Sequence, residues 1–395
     1  MLNEKIVKLG KVRSSIRELY EYGRKRKAEI GEENVYDFSL GNPSVPVPEE
    51  VSNALIKLVE EGDPVALHGY TSAQGDLSVR KSVAEYLNAR FKTKLCADCI
   101  YMTCGAAASL AITFNALLNS GDEVITFAPY FPEYKVFVEH AGGRLIAVKS
   151  EEGTFQIDFN ALEKALNRNT KAVLINSPNN PSGVVYTQQT VKRLCALLED
   201  YSEKRGEPVY LISDEPYREL VFGGVKVPFV MNYYKNSIVC YSYSKCLSLA
   251  GERIGYIAVN NRAEEWKEVY AGLCGAGRAL GYVCAPHLFQ ELVKIVSGKT
   301  SDISIYEDNR NKLCSALKEY GFTVVKPDGA FYLFVKSPEP DAKAFAERAK
   351  KYEILLVAGD DFGCEGYVRV AYCVSPTLIE RALPSFKALA ESYNI

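Results

Sequence analysis

The feature that most limits what this chain can fold into is an alternation. Short apolar runs that each end in turn residues are separated by longer segments with helical spacing. The runs are EVITFAPY (123–130), KAVLINSPNNPSG (171–183), VYLISDEPY (209–217), SIVCYSYSK (237–245) and RIGYIAV (253–259). Between most of them lie stretches such as AASLAITFNALL (107–118) and QQTVKRLCALLEDYSEKRG (188–206), whose apolar residues recur every three or four positions. Continuous β-rich runs joined through helices predict an α/β fold with a mostly parallel sheet covered on both faces. Ligands of such sheets sit just beyond the carboxyl ends of the strands. Polar residues at those ends are therefore the first candidates for chemistry.

The flanks read differently. Helical stretches over 286–298 and 303–320 precede three strand-like runs, FYLFVKS (331–337), ILLVAGDDFG (354–363) and YVRVAYCVS (367–375), and a closing helix spans 377–391. Runs of helix and strand without strict alternation predict a smaller α+β domain. At the other end, a polar helix is expected over 12–30, followed by the Gly/Pro-rich loop DFSLGNPSVPVPEE (37–50). Because chain termini often lie close together, the division expected is a large domain over 49–287 and a small domain built from 1–48 and 288–395.

Composition excludes several roles. Lys plus Arg is 47 and Asp plus Glu is 49, a net charge of −2. That balance gives no electrostatic case for nucleic acid or an anionic membrane, and the basic run Arg24–Lys27 reads as a solvated helix face. No apolar run approaches the roughly 20 residues of a membrane-spanning helix, and the charged N-terminus has no secretion-signal pattern. The 11 cysteines, scattered and odd in number, suggest reduced thiols in a cytoplasm. Cys96 and Cys99 form one CxxC with Cys104 nearby, but no second pair and no adjacent histidine completes a zinc set, so no metal is expected.

Four strand ends carry the candidate chemistry. In SYSKCLSLAGERIGY (242–256), Lys245 is flanked by Ser242 and Ser244, with Arg253 eight residues on. Two hydroxyls and a guanidinium beside a lysine make a phosphate cradle next to an amine whose pKa a site can lower. In LISDEPYREL (211–220), Asp214 ends a strand and Tyr217 follows; alone, Asp214 reads as a helix N-cap. In NSPNNPSG (176–183), Asn180 is presented by a turn. In MTCGAAASLAITF (102–114), Gly105 precedes a helix opened by Ala106 and Ala107, small residues that let backbone N–H groups approach an anion.

These four segments, in this order, resemble the class I/II aminotransferases of pyridoxal-phosphate (PLP) fold type I. The similarity runs from SLGNPS near residue 41 to YVRVAYCVS near residue 372. The resemblance implies PLP as cofactor, with Lys245 as its Schiff-base lysine. Asp214 matches the partner of the pyridine nitrogen, and Tyr217 and Asn180 match the pair that binds the ring hydroxyl. Ser242, Arg253 and the backbone at Ala106 and Ala107 match the phosphate site. Phe131, in APYFPEY, matches the aromatic that stacks on the ring. Tyr70, in HGYTSAQG, matches a tyrosine that reaches the phosphate from a second subunit, which implies a homodimer with a shared active site. Arg369 matches the clamp on the substrate carboxylate, helped by Asn180, and Gly41 matches a loop glycine near the same carboxylate.

The activity implied is transfer of an amino group between an L-amino acid and a 2-oxo acid, with Lys245 moving the α-proton and Asp214 supporting the ring's electron-withdrawing power. Arg278, in RALGYVCAP, lies about one residue from where dicarboxylate-specific relatives carry a side-chain-binding arginine. Aspartate or glutamate is the leaning, and an exposed or structural arginine fits the segment equally. A C–S β-lyase or cyclopropane-carboxylate synthase on the same scaffold would share these residues. A non-enzymatic regulator would need an added DNA-binding domain, for which the N-terminal segment is too short. A nucleotide-dependent enzyme lacks support, since GAGRALG (275–281) follows a helical segment rather than a strand. Cys246, beside Lys245, is open to the question of oxidation.

Overall fold

The first strand, β1 (Tyr36–Asp37), stands apart from the main sheet. That sheet has seven strands: β2 (Ile100–Thr103), β3 (Glu123–Ala128), β4 (Arg144–Lys149), β5 (Thr170–Asn176), β6 (Tyr210–Asp214), β7 (Ser237–Ser242) and β8 (Gly255–Val259). The computed structural model describes residues 2–11 and 15–395. Strand order is β2-β8-β7-β6-β5-β3-β4. Every pair from β7 to β4 is parallel, and β8 runs antiparallel to both its neighbours. The mostly parallel α/β sheet expected from the alternation is the sheet the chain forms.

Alternate residues of these strands divide between two apolar cores, as the two-residue period of a strand requires. Val124, Leu174, Ile212 and Ile257 pack on one face with Leu110, Phe114 and Leu273. Ile125, Val173, Leu211 and Ala258 pack on the other with Val83, Leu87, Val191 and Leu194. Sheet covering on both faces is why the strands read as unbroken apolar runs. The helices carry their own stop signals: Gln188–Arg205 begins where the Thr187 side chain accepts from the Thr190 N–H and ends at Gly206, φ 77°.

A second, antiparallel sheet forms from β9 (Val324–Val325), β10 (Tyr332–Lys336), β12 (Val357–Ala358) and β13 (Tyr367–Ala371). The run ILLVAGDDFG, expected as one strand, is divided. Its first part, β11 (Ile354–Leu355), pairs with β1, while β12 pairs with β13 and a 3-10 turn follows over Gly359–Phe362. The segment changes partners in mid-run, which an apolar pattern cannot reveal. Strand β4 escaped the sequence reading because it is an edge strand. Only Val148 of its residues is buried, and it carries Arg144 and Lys149 at the ends, a charged edge that discourages further pairing.

The helix expected over 12–30 is present as Ser15–Ile30, with residues 12–14 outside the described residues, and a further helix, Glu4–Lys11, was not expected. The CxxC forms a 3-10 turn, Ala97–Cys99, leading into β2. GAGRALG is helical over all but its last residue, inside Trp266–Leu280. Among the described residues no helix is long and apolar enough to cross a membrane.

Candidate active site

A cavity of about 300 Å³ opens at the carboxyl ends of β5, β6 and β7, against β10 and β13. Its lining includes Lys245, Asp214, Asn180, Tyr217, Arg253 and Arg369. Gly41, Ala106, Ala107, Phe131 and Ser242 line it as well. One cavity thus unites segments spread over more than three hundred residues of sequence.

Asp214 is the last residue of β6 and is buried. No helix follows it, so the N-cap reading fails; residues 215–219 form turns instead. Its Oδ2 accepts from the Tyr134 hydroxyl at 2.6 Å, and the Asn176 amide donates to its backbone carbonyl at 2.9 Å. Its Oδ1 is buried with no hydrogen-bond partner. Burial pushes this carboxyl up to about 7, against the Tyr134 hydrogen bond, which lowers it. A buried acceptor left open at a cavity wall is a site prepared for a donor.

Lys245 projects from the turn after β7, and its Nζ donates to the Gly41 carbonyl at 2.7 Å. Burial lowers its pKa from 10.5 to about 8, with the nearby Arg253 and Arg369 acting in the same direction. An amine so placed exchanges its proton close to neutrality.

Beside it lies an anion cradle. Ser242 and Ser244 hydroxyls are 2.7 Å apart, and Arg253 reaches the Ala250 carbonyl at 2.9 Å and the Ser244 hydroxyl at 3.4 Å. Opposite them the helix Ala106–Leu117 begins after Gly105, whose φ is 85°. A Cβ at Gly105 would come within 2.9 Å of Arg253 Nη2, so glycine is needed both for the turn and for the room it leaves the guanidinium.

Arg369, in the middle of β13, is buried between the rings of Tyr332 and Phe362, 4.6 and 5.0 Å from its guanidinium carbon. Its Nη1 donates to Asn180 Oδ1 at 3.0 Å and its Nη2 to the Ser39 carbonyl at 2.5 Å; its Nε is buried and unpartnered. Phe131 lies edge-on to Tyr134, ring centroids 5.6 Å apart.

Three residues behave differently from the rest. Tyr70 is 98% exposed and lines a separate surface groove with Val283 and His287. Arg278 is exposed near the end of its helix and does not line the cavity. Cys246 is buried, with its thiol pushed up to about 12 and its Sγ 3.1 Å from the Tyr241 hydroxyl, the opposite of a reactive thiolate.

Sequence reasoning overlooked Tyr134, Tyr332, Asn176 and Ile16. Tyr134 had a signal, since it falls three residues after Phe131 at the start of a helix and so shares its side. Asn176 had one too, as the polar last residue of β5, whereas Tyr332 had none beyond membership of a strand.

Comparison with known proteins gives a uniform result. The family model described as aminotransferase class I and II matches residues 33–386. An aspartate aminotransferase from Thermotoga maritima is 30% identical over 368 residues, covering 92% of this chain and 93% of its own. A crystal structure of an amino transferase from Eubacterium rectale is 55% identical, covers 100% of both chains and superposes with a TM-score of 0.98. An aspartate aminotransferase from Thermus thermophilus, solved with maleate, is 25% identical over 98% of this chain and 99% of its own, with a TM-score of 0.86.

Proposed function

The chain belongs to the class I and II aminotransferases and is a transaminase, and from that premise we propose that its cavity holds pyridoxal 5′-phosphate and that its amino-acid substrate is aspartate or glutamate. The observation that carries the cofactor reading is the pairing of Asp214 Oδ1, buried and unpartnered, with the Lys245 amine, its pKa lowered to about 8, in one cavity. The donor set fits the group. Asp214 Oδ1 would accept from the ring nitrogen, Tyr217 and Asn180 would face the ring hydroxyl, and Phe131 would cover the ring. Ser242, Arg253 and the N–H groups of Ala106 and Ala107 would hold the phosphate. Lys245 would attach the cofactor covalently.

Bound there, the cofactor would supply a protonated ring able to take up the electron pair left at the substrate α-carbon. The chain's own residues do the rest. Arg369 grips the α-carboxylate with two N–H groups, aided by the Asn180 amide, whose Oδ1 already faces Arg369. Lys245 Nζ takes the α-proton and later returns it, a role suited to a pKa near 8. Asp214 holds its partner's proton in place by charge. Gly41 fixes the resting position of Lys245 through its carbonyl.

The dicarboxylate assignment draws on the names of the relatives from Thermotoga maritima and Thermus thermophilus. Among the described residues, the cations that line the cavity are Lys245, Arg253 and Arg369, each given another role in this reading. A homodimer is supported by the exposed Tyr70, which lines a surface groove with Val283, itself 42% exposed. Residues 49–287 as a large domain, 1–48 with 288–395 as a small one, and a cytoplasmic location complete the reading.

The test is an absorbance titration of the purified, cofactor-loaded protein with aspartate, then 2-oxoglutarate. A cofactor band that converts and returns supports the reading. Conversion by other amino acids but not by aspartate or glutamate would overturn the substrate class alone. Absence of any cofactor band after loading would overturn the assignment of the cavity.

A further inference from the structure

Tyr332 touches three of the site's working groups. It is the first residue of β10, paired with Ala371 across the sheet, and is buried at the cavity wall. Its hydroxyl is 2.9 Å from that of Tyr217, and the two rings meet edge-on with centroids 5.8 Å apart. The Arg369 guanidinium lies over its face. A methyl at Gly41 would collide with the Tyr332 hydroxyl, so the glycine whose carbonyl receives Lys245 also makes room for this phenol.

We propose that Tyr332 is a positioning residue: its phenol donates to the Tyr217 oxygen, which leaves the Tyr217 proton free for the cofactor ring, and its face is the plate on which Arg369 rests. This rests on the reading of the cavity as the cofactor site.

Proton counting favours that direction. Each phenol has one proton, and the bond between them consumes one. Were Tyr217 the donor, it would have nothing left to give to the cavity. The cation over Tyr332 makes that phenol the better donor of the two. Arg369 opposes the rise that burial causes in both phenols; Tyr332 is raised to about 12 and Tyr217 well above its ordinary value. A chain of two hydroxyls also polarises its terminal proton more than one hydroxyl does. Stabilising negative charge on the ring oxygen lowers the pH at which the bound cofactor loses its proton. Removing the first donor should raise it.

The experiment compares holoenzymes of wild type, Tyr332→Phe and Tyr332→Leu by pH titration of the visible cofactor band and by steady-state kinetics. Tyr332→Phe keeps the plate and loses the donor. Its titration midpoint should rise by roughly 0.3–1 unit, and kcat should fall while KM for the amino acid stays within about twofold. Tyr332→Leu loses both, so KM should rise about tenfold further. Gly41→Ala retains both phenols but displaces the Tyr332 hydroxyl, and its midpoint should move in the same direction as that of Tyr332→Phe. A wild-type band that titrates, with an identical midpoint and kcat in Tyr332→Phe, overturns the role of Tyr332 alone. A wild type with no cofactor band overturns the cavity assignment and this proposal with it.

Discussion

The Tyr134 hydroxyl donates to Asp214 Oδ2 at 2.6 Å, leaving the other carboxylate oxygen, Oδ1, buried and open to the cavity. That single bond opposes the rise in the Asp214 pKa caused by burial. Tyr134→Phe should therefore push the carboxyl higher still and leave less carboxylate at neutral pH. Hydrogen bonds to charged groups contribute about 1.5–3 kcal/mol, so cofactor affinity at pH 7 should weaken roughly 10- to 100-fold. The defect should shrink as pH rises to 9 and the carboxylate is restored. Dissociation constants measured from pH 6 to 9 check this, and a pH-independent defect would refute it.

Asp214 also sets a pH dependence of stability. Its folded pKa, about 7, lies above the ordinary 3.8, so the cofactor-free folded state binds more protons than the unfolded chain between those values. Stability contributed by this group falls as pH rises from about 4 to 7 and stays low above that, a loss on the order of 4 kcal/mol. Asp214→Asn removes the titrating group. The cofactor-free variant should gain Tm relative to wild type at pH 8 but not at pH 4.5, while binding cofactor poorly at both. Thermal melts of the two apoproteins at the two pH values decide it.

Lys245→Ala should reduce steady-state transamination by at least about 10³-fold, since it removes both the attachment amine and the proton carrier. The fold should survive. A lysine whose pKa burial lowers from 10.5 to about 8 is held in its charged form at a cost below pH 8. Its loss should leave the cofactor-free Tm at pH 7 equal or higher. Activity assays and melts on one preparation separate the two claims.

The parts of the site that were legible in the sequence share a physical cause. Asp214 ends an apolar strand, Asn180 and Lys245 lie in the turns just after β5 and β7, and Gly105 lies in the turn after β2; a mostly parallel sheet places these ends at one edge. Arg369 was legible as a charge inside a strand whose other residues are apolar. Tyr332 was not, because an aromatic in an apolar stretch looks like core, and here it is both core and hydrogen-bond partner. The division of 354–358 between two sheets was hidden for another reason: partner choice is a property of the whole fold, not of the run. Tyr70 lines a surface groove separate from its own chain's cavity, and only the resemblance gave it a role there.

Arg369→Lys tests the clamp. The guanidinium lies over the rings of Tyr332 and Phe362, with Nη1 on Asn180 and Nη2 on the Ser39 carbonyl. An ammonium offers no planar pair of donors and stacks less well. KM for the amino acid should rise about 10- to 100-fold, the equivalent of one charge-assisted hydrogen bond. The cofactor's dissociation constant should not change. If both constants shift together, the arginine supports the cavity's shape rather than the carboxylate.

Tyr70 tests the assembly. Its side chain is 98% exposed within one chain, so a Tyr70→Phe change has nothing to disturb unless a second copy brings that hydroxyl to the phosphate cradle. In that case Tyr70→Phe should weaken cofactor binding by roughly tenfold. The decisive form of the experiment mixes Tyr70→Phe chains with Lys245→Ala chains under conditions that allow subunit exchange. In a hybrid dimer, the site built on the Tyr70→Phe chain keeps its own Lys245 and receives an intact Tyr70 from its partner. The other site carries both defects. Activity and cofactor occupancy per lysine-bearing site should then rise above the Tyr70→Phe parent. A mixture that gives only the average of the two parents, after exchange has been verified, would mean that Tyr70 acts within its own chain or not at all.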